Sequence, residues 1–269
     1  MKLYTKNELI DKIRQISAGG WYRSVKKIRD TRNDGAVGNT IEALLGLQEN
    51  NLPIPNLQEW ELKGQRLHTK SLVTLKHIEP SPRSARIVAN LLVPMYGWKH
   101  KEAGKKYPST EQSFRSTIDT INYTNRGFRL HLDRRQGKLS LAFDAKYAQI
   151  QNPDIAEWLN TVEQRIGLGP ISPEPYWGLA DLEHEIGAKL KNCFYVIAES
   201  KLESKQEFFK YVSLQILSGF SFDRFLELLE EGFIFVDFDA RTGHNHGTKF
   251  RIKQNHLWRL YSNVQDIIL

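Results

Sequence analysis

The chain has 269 residues, of which 40% are hydrophobic and 11% aromatic, so it can bury a large core, and we expect one folded unit rather than a string of small modules. Lysine and arginine number 38 against 31 acidic residues, a net charge of +7, which favours a polyanionic partner but also fits an ordinary basic protein. No segment approaches the roughly 20 apolar residues of a membrane span, and the N-terminus lacks a secretory signal. The lone Cys193 excludes an intramolecular disulfide or a multi-cysteine zinc site. We therefore expect a soluble, cytoplasmic protein with no membrane partner.

The first half of the chain mixes helices and strands. ELIDKIRQI predicts a helix closed by Gly19-Gly20, and TIEALLGLQEN predicts a second helix from about Ile41 with Thr40 as its N-cap. EWELK and SLVTLKHI have the composition of strands. The basic, weakly periodic sequence from Val93 to Thr124 predicts a long excursion over the surface.

The second half continues this pattern. FRLHLDRRQGKLSLAFD predicts a hairpin, and the near-continuous apolar run CFYVIAESK predicts a central strand. FSFDRFLELLEEG predicts an amphipathic helix, FIFVDFD a strand, TGHNHG a turn, TKFRI a short strand and HLWRLY a last helix. The order of elements indicates an α/β to α+β fold with a mixed sheet.

Basic residues are concentrated in two stretches that we expect to be loops. One stretch holds Arg23, Lys26, Lys27, Arg29 and Arg32, and the other holds Lys99, His100, Lys101, Lys105 and Lys106. Two flexible basic loops would clamp the phosphates of a duplex from either side.

The stretch NLQEWELK places Glu61 and Lys63 two residues apart on a predicted strand, so both side chains point to the same face. A carboxylate that holds Mg²⁺ beside a lysine that orients a nucleophile suits phosphodiester hydrolysis. Glu-x-Lys alone is common on solvated strand faces and carries little weight. Glu42, at the start of a predicted helix just upstream, is a suitable further carboxylate for the same metal.

The run GNTIEALLGLQENNLPIPNLQEWELK, followed by KSLVTL and SPRSA, resembles the catalytic region of the MvaI/BcnI family of restriction endonucleases, relatives of the mismatch-repair nickase MutH. That family pairs a helix glutamate with an Asp-x4-Glu-x-Lys variant of the PD-(D/E)XK signature. Glu42, Glu61 and Lys63 match the helix glutamate, the strand glutamate and the lysine. KNCFYVIAESKLES and HNHGTKFRI resemble further family blocks from the lobe that reads bases.

The resemblance implies a restriction-endonuclease-like mixed sheet flanked by helices, with two lobes around a DNA cleft. We assign residues 1–92 and part of the middle region to a catalytic lobe, 93–189 to a surface excursion and hairpin, and 190–269 to a DNA-recognition lobe. The family resemblance also implies a Mg²⁺-dependent monomer that cuts double-stranded DNA at a short site related to CCWGG or CCSGG. A cognate DNA methyltransferase is then expected as a genetic partner only.

The predicted DNA-binding residues lie near the C-terminus. By the resemblance, His244, Asn245, His246 and Arg251 contact base edges, for which arginine, asparagine and neutral histidine have suitable donors and acceptors. An ordinary polar turn, or a fortuitous metal-like histidine pair, is the alternative for the histidines. Lys201 is either a DNA contact or a solvated strand end.

Three aromatic residues invite the same two interpretations. Trp21, Trp98 and Tyr96 either stack on an unpaired base or pack in the protein, and packing is the usual role of such residues.

Position 56 departs from the family pattern, which expects an aspartate five residues before Glu61. Asn56 has the shape of aspartate but offers a neutral carbonyl oxygen to a Mg²⁺ ion. Three explanations remain open: a substitution made to trap uncut DNA, a natural variant in which Glu42 or Glu59 supplies the charge, or a protein that has lost cleavage.

The sequence therefore predicts a Mg²⁺-dependent type II restriction endonuclease with Glu42, Asn56, Glu61 and Lys63 in its active site. Two alternatives remain: a strand-specific nickase of the MutH type, and a module that recognises a DNA site without cutting it.

Overall fold

The computed structural model describes residues 4–26, 35–47 and 59–269. The chain forms two compact units, one of Met1–Val73, His184–Arg224 and Lys253–Leu269, the other of Thr74–Glu183 and Phe225–Ile252. The segment 190–269 is therefore divided between both units. Within the described residues, no helix is long and apolar enough to cross a membrane.

Helices and strands alternate along the chain. The helices are α1 (Lys6–Ala18), α2 (Ala36–Leu44), a 3₁₀ turn (Arg83–Ala85), a π-helical turn (Val88–Leu92) that continues into α3 (Val93–Tyr96), α4 (Pro153–Ile166), α5 (Leu179–Leu190), α6 (Phe222–Glu230) and a 3₁₀ helix (Gln254–Leu260). The strands are β1 (Tyr22–Arg23), β2 (Glu61–Arg66), β3 (Leu72–His77), β4 (Trp98–Lys99), β5 (Gln112–Ile118), β6 (Arg126–Asp133), β7 (Lys138–Ala148), β8 (Tyr176–Gly178), β9 (Asn192–Glu203), β10 (Gln206–Phe220), β11 (Ile234–Arg241), β12 (His244–Asn245), β13 (Lys249–Lys253) and β14 (Tyr261–Ile267).

The first unit contains a five-stranded mixed sheet in the order β1-β10-β9-β2, with β14 also paired to β10. Strand β2 runs parallel to β9, and the other pairs are antiparallel. The apolar run in β9 lies between β10 and β2, so the prediction of a central strand is confirmed. One face of this sheet packs against α1 and α2 in a core that includes Leu62, Phe194 and Val196.

The two helices of this core compare differently with the sequence. Helix α1 is confirmed; it begins at Lys6, slightly before the predicted segment, and Thr5 and Glu8 form a reciprocal capping box at its start. Helix α2 begins at Ala36, about a turn before the predicted start. Thr40 is not its N-cap: the buried Thr40 hydroxyl donates within the helix to the carbonyl of Ala36 at 2.7 Å.

A six-stranded sheet, ordered β3-β13-β11-β5-β4 with β12 also on β11, forms most of the second unit's framework. Strand β5 comes from the segment 93–124, whose predicted surface excursion is wrong. Phe114 and Ile118 in β5 are fully buried, and β5 pairs antiparallel with β11, from Val236↔Ile118 to Arg241↔Ser113. The pairing partner lies more than 100 residues away, and no local pattern announces it.

The smaller elements complete the comparison. The predicted hairpin is confirmed as β6 and β7, which β8 extends to a three-stranded sheet. The last predicted helix is a 3₁₀ helix, and it is followed by strand β14, which the sequence did not indicate. Cys193 is fully buried, as predicted.

Candidate active site

Strand β2 carries the predicted acid and lysine. Glu61 is the first residue of this strand. The backbone just before it is fixed by a hydrogen bond of 3.2 Å from Asn192 Nδ2 to the carbonyl of Glu59. The side chains of Glu61 and Lys63 meet, with Lys63 Nζ donating to Glu61 Oε1 at 2.7 Å. The prediction that they share a face is confirmed.

A second lysine, which sequence reasoning missed, also reaches this carboxylate. Lys189, in the last turn of α5, places Nζ 3.7 Å from Glu61 Oε1. Only 13% of the Lys63 side chain and 17% of the Lys189 side chain are exposed. The only sequence signal for Lys189 is its place just before the apolar run of β9, and many surface lysines share such a place.

Glu61 is buried, with 2% of the residue exposed. A buried carboxylate is costly unless charge and hydrogen bonds compensate it. The two lysines supply positive charge at Oε1, whereas Oε2 is buried without a hydrogen-bond partner among the described residues. An unsatisfied carboxylate oxygen is the kind of ligand that Mg²⁺ takes, so the donor chemistry at Glu61 fits a divalent cation.

The face that Glu61 and Lys63 share continues onto β9, where the Cα partners are Cys193 and Tyr195. Burial raises the pKa of Cys193 to about 12, so this thiol is protonated at neutral pH. Tyr195 is also buried, and burial raises the pKa of its hydroxyl above the usual value for tyrosine. These neighbours therefore form a neutral wall beside the charged groups.

Helix α2, which carries Glu42, packs closely on β2 at a pair of glycines. A Cβ on Gly64 would lie 2.7 Å from the backbone nitrogen of Gly38, so the contact requires glycine at position 64. Because successive strand side chains alternate, Glu61 and Lys63 point away from α2. Glu42 lies one turn after Gly38 on the same face of α2.

The surroundings of Glu42 are partly defined. Its negative charge adds to burial in raising the pKa of Tyr211, and the Tyr211 hydroxyl donates to the carbonyl of Val37 at 3.0 Å. Asn56 lies outside the described residues. No cluster of three or more histidine, cysteine, aspartate or glutamate side chains suitable for a metal occurs within 4–26, 35–47 and 59–269. The structure therefore brings Glu61, Lys63 and Lys189 together, and the roles of Glu42 and Asn56 stay predictions.

The His-Asn-His segment is exposed in the second unit. His244 and Asn245 form the short strand β12, and Asn245 Oδ1 accepts from the Gly247 backbone at 2.8 Å. The rings of His244 and His246 meet edge to face, with centroids 4.2 Å apart. Burial lowers the pKa of His246, which favours a neutral ring with one donor and one acceptor.

Arg251, on β13, lies in a charged face of the six-stranded sheet. Arg251 Nη1 is 3.1 Å from Asp237 Oδ2, which belongs to β11, and Asp237 also accepts from the Thr117 hydroxyl at 2.8 Å. Asp239, two residues along β11, pairs with Arg115 at 2.9 Å and with Lys249 at 3.4 Å. Sequence reasoning named Arg251 but missed these acids, because their partners come from distant strands.

Lys201, the remaining predicted DNA contact, lies on β9 in the first unit. Its Nζ is 2.9 Å from Glu203 Oε1 and 4.6 Å from the centroid of the Trp21 ring, and 39% of Trp21 is exposed. The predicted DNA-binding residues are therefore distributed over both units, and their contact with DNA stays a prediction.

Comparisons with known proteins agree with this arrangement. The family model of the MvaI/BcnI restriction endonuclease family matches residues 10–261, whereas a comparison with curated protein sequences gives no significant match. The solved complex of restriction endonuclease MvaI with its cognate DNA substrate is 25% identical, covers 98% of this chain and 100% of its own, and gives a TM-score of 0.75. MvaI in the absence of DNA is 25% identical with full coverage of both chains and a TM-score of 0.52.

These matches confirm the resemblance first found in the catalytic segment. They also confirm the mixed α+β fold that the sequence predicted. The chain belongs to the MvaI/BcnI restriction endonuclease family, and it is a type II restriction endonuclease, a site-specific nuclease of DNA.

Proposed function

We propose that the chain hydrolyses phosphodiester bonds of double-stranded DNA in a Mg²⁺-dependent reaction centred on Glu61. The observation that carries this proposal is the buried Glu61 carboxylate, which contacts Lys63 through one oxygen while the other lacks a hydrogen-bond partner among the described residues. The match to MvaI in complex with its cognate DNA substrate supports duplex DNA as the substrate.

Glu61 would hold the ion together with Glu42 and the residue at position 56. When bound, Mg²⁺ would activate the attacking water and offset negative charge on the phosphorane. Lys63, held 2.7 Å from Glu61, would orient that water and steady the scissile phosphate. Lys189, 3.7 Å from the same carboxylate oxygen, would hold that carboxylate in place and add positive charge opposite the phosphate.

The other predicted roles belong to the same proposal. The enzyme acts as a cytoplasmic monomer at a short CCWGG- or CCSGG-like site, alongside a cognate DNA methyltransferase. A monomer with one active site must nick one strand and then reorient or rebind to cut the other. His244, Asn245, His246 and Arg251 contact base edges, and Lys201 contacts the backbone or a base.

Plasmid digestion with Mg²⁺ tests this function directly. Linear product supports the endonuclease, open-circular product alone indicates a nickase, and retarded but intact DNA indicates a binding module. Sequencing the ends of the linear product would identify the site and the cut position. Sedimentation of the enzyme with a cognate duplex would test for one protein copy per site.

Position 56 gives the proposal a sharper test. The Asn56→Asp substitution should raise Mg²⁺-dependent cleavage by about a hundredfold or more, because it restores a charged ligand, and should leave cognate DNA binding without metal nearly unchanged. If the unaltered chain cuts at ordinary rates and Asn56→Asp changes nothing, position 56 does not bind the metal. If neither form cuts cognate DNA, the hydrolytic function itself is wrong.

A further inference from the structure

The second unit contains a cavity of about 500 Å³ that has no part in the proposed cleavage or base recognition, although Lys99, His100 and Lys101 of the basic stretch line it. It is lined by the β4 region, by Arg126 at the start of β6 and by one face of α4. Its volume is within the roughly 300 to 1,000 Å³ typical of small-ligand sites. Two of its walls are the indole rings of Trp98 and Trp158, 6.5 Å apart between centroids and close to perpendicular.

Arg126 forms no ion pair within 4 Å among the described residues, although the Asp154 carboxylate also lines this cavity. Its guanidinium carbon lies 4.3 Å from the Trp98 ring centroid and 5.4 Å from that of Trp158. Its Nε is buried without a hydrogen-bond partner among the described residues. Burial lowers the pKa of Arg126, and the charge of Asp154 opposes that shift. An arginine stays protonated in proteins and has five donors to satisfy, so this environment favours a ligand with acceptor oxygens.

His100 adds a second unused donor. It is 4% exposed, and its Nδ1 accepts from the backbone of Glu102 at 3.0 Å, so the ring proton is on Nε2. This Nε2 is buried and has no hydrogen-bond partner among the described residues. Burial, assisted by the nearby charge of Arg115, lowers the pKa of His100, so the ring is a neutral donor at pH 7.

The charges around the cavity favour an anion. The lining residues include four cationic side chains, Lys99, Lys101, Arg126 and Arg165, against the carboxylates of Asp154 and Glu157. Arg165 is already bound to the protein through the Pro94 carbonyl and Gln112 Oε1. The exposed Lys99 and Lys101 remain available at the rim.

We propose that this cavity binds a nucleotide, with its phosphate at Arg126, His100 Nε2 and the rim lysines and its base against the half-buried indole of Trp98. Charge-assisted hydrogen bonds from a guanidinium suit phosphate, and base stacking on aromatic or guanidinium planes tolerates any base. The nucleotide is either free in solution or an unpaired nucleotide of a DNA strand, because the two present the same groups.

A matched pair of arginines makes the proposal testable. Arg129, on the same strand, lies 4.4 Å from the centroid of the Tyr123 ring and also has a buried Nε without a hydrogen-bond partner among the described residues. It does not line the cavity. Arg126→Gln and Arg129→Gln each remove one ring-stacked guanidinium, but only the first removes it from the proposed site.

The experiment is a titration of the full chain with dAMP, dGMP and inorganic phosphate, followed by tryptophan fluorescence. Mononucleotides should quench the fluorescence saturably, Arg126→Gln should weaken binding about tenfold or more, and Arg129→Gln should leave it within about twofold. Lys99→Ala, at an exposed position, gives a second weakened variant if circular dichroism shows that Arg126→Gln does not fold. Displacement of dAMP by a duplex with one unpaired nucleotide, but not by the fully paired duplex, would identify DNA as the source. Displacement by neither duplex would identify the free nucleotide as the ligand.

Three results would overturn the proposal. One is the absence of mononucleotide binding up to about 10 mM, far weaker than ordinary ligand sites. Another is an equal loss of binding in Arg126→Gln and Arg129→Gln. The third is binding of inorganic phosphate as tight as that of dAMP, which would leave the indole rings without a role.

Discussion

The polar side chains around Glu61, on β2, and those of the turn at His244 differ in how far they are buried and which groups they contact. Glu61, Lys63 and Lys189 are largely buried, and both lysines lie against the Glu61 carboxylate. His244, Asn245 and His246 are exposed; Asn245 Oδ1 accepts from the Gly247 backbone, and the His246 backbone donates to the carbonyl of Asp239. Groups that act on a reacting phosphate gain from being fixed before substrate arrives, whereas groups that read bases must stay open to the groove. The difference matches the division between cleavage and recognition that we propose.

The largest expected effect is the loss of DNA cleavage when the buried Lys63 is replaced. Lys63→Ala should lower the single-turnover cleavage rate by about 10² to 10³-fold, because it removes a fixed charge beside the phosphate, and should change cognate DNA binding little. Lys191→Ala is the matched control, since Lys191 is an exposed lysine just before β9. Both substitutions are made in the parent chain that cleaves DNA, which is either the unaltered chain with Asn56 or the Asn56→Asp variant. A rate for Lys63→Ala equal to that of the control would remove Lys63 from the reaction.

Loss of a buried ion pair on the catalytic strand β2 should strongly lower the stability of the fold. Arg66 on β2 binds Glu207 on β10 through two hydrogen bonds of 2.8 and 2.7 Å, and both side chains are buried. Glu207→Ala should lower the free energy of unfolding by about 3 to 5 kcal/mol, because it leaves a buried guanidinium without its anion. Urea denaturation would measure this change.

An exposed ion pair of the same geometry provides the control. Arg134 and Glu230 also form two hydrogen bonds, of 2.7 and 2.8 Å, but their side chains are 42% and 48% exposed. Glu230→Ala should cost less than about 1 kcal/mol, because water screens and replaces the lost contact. Equal costs for the two substitutions would show that burial does not set the rigidity of the catalytic sheet.

A moderate effect is expected at the recognition residues. Arg251→Ala should reduce discrimination between the cognate duplex and single-base-pair variants by about 1 to 3 kcal/mol if Arg251 contacts guanine with two hydrogen bonds. Competition binding with a set of variant duplexes measures this. Equal weakening on every duplex would assign Arg251 to a phosphate contact instead. The test is informative because Arg251 already contacts Asp237 at 3.1 Å, so DNA must replace or share that partner.

The smallest effect concerns the basic stretch around Lys101. Neutralised phosphates release condensed counterions, so affinity for nonspecific DNA should fall steeply with salt. Lys101→Ala should reduce the slope of log affinity against log salt by about one. Lys12→Ala, an exposed lysine on α1 outside the proposed clamp, should leave the slope unchanged. A slope that is shallow in the unaltered chain would contradict the clamp.

The sequence predicted features that depend on near neighbours. Alternation on a strand placed Glu61 beside Lys63, and the spacing of apolar residues in ELIDKIRQI located α1. Features that depend on distant partners were missed. Phe114 and Ile118 are buried because β5 pairs with β11, and Lys189 reaches Glu61 from a helix more than 100 residues later. Strand β14 was not predicted, because most of its side chains are exposed and backbone hydrogen bonds to β10 hold it in place.

The start of α2 was displaced for a different reason. Thr40 is a good N-cap by residue type, but its hydroxyl is equally able to donate to the carbonyl four residues earlier inside a helix. Only the packing of Ala36 and Val37 in the core of the first unit determines which of the two occurs.

Glu61 serves cleavage and not DNA binding in the function that we propose, and the Glu61→Gln substitution separates these two roles. Glutamine keeps the size of the side chain but removes the charge that would hold Mg²⁺ and pair with Lys63 and Lys189. In whichever of the Asn56 and Asn56→Asp chains cleaves, single-turnover cleavage of a cognate duplex should fall by about a hundredfold or more. The dissociation constant for that duplex, measured without metal, should stay within about threefold. Cleavage within about threefold of the parent chain, or loss of binding as large as the loss of cleavage, would contradict the account.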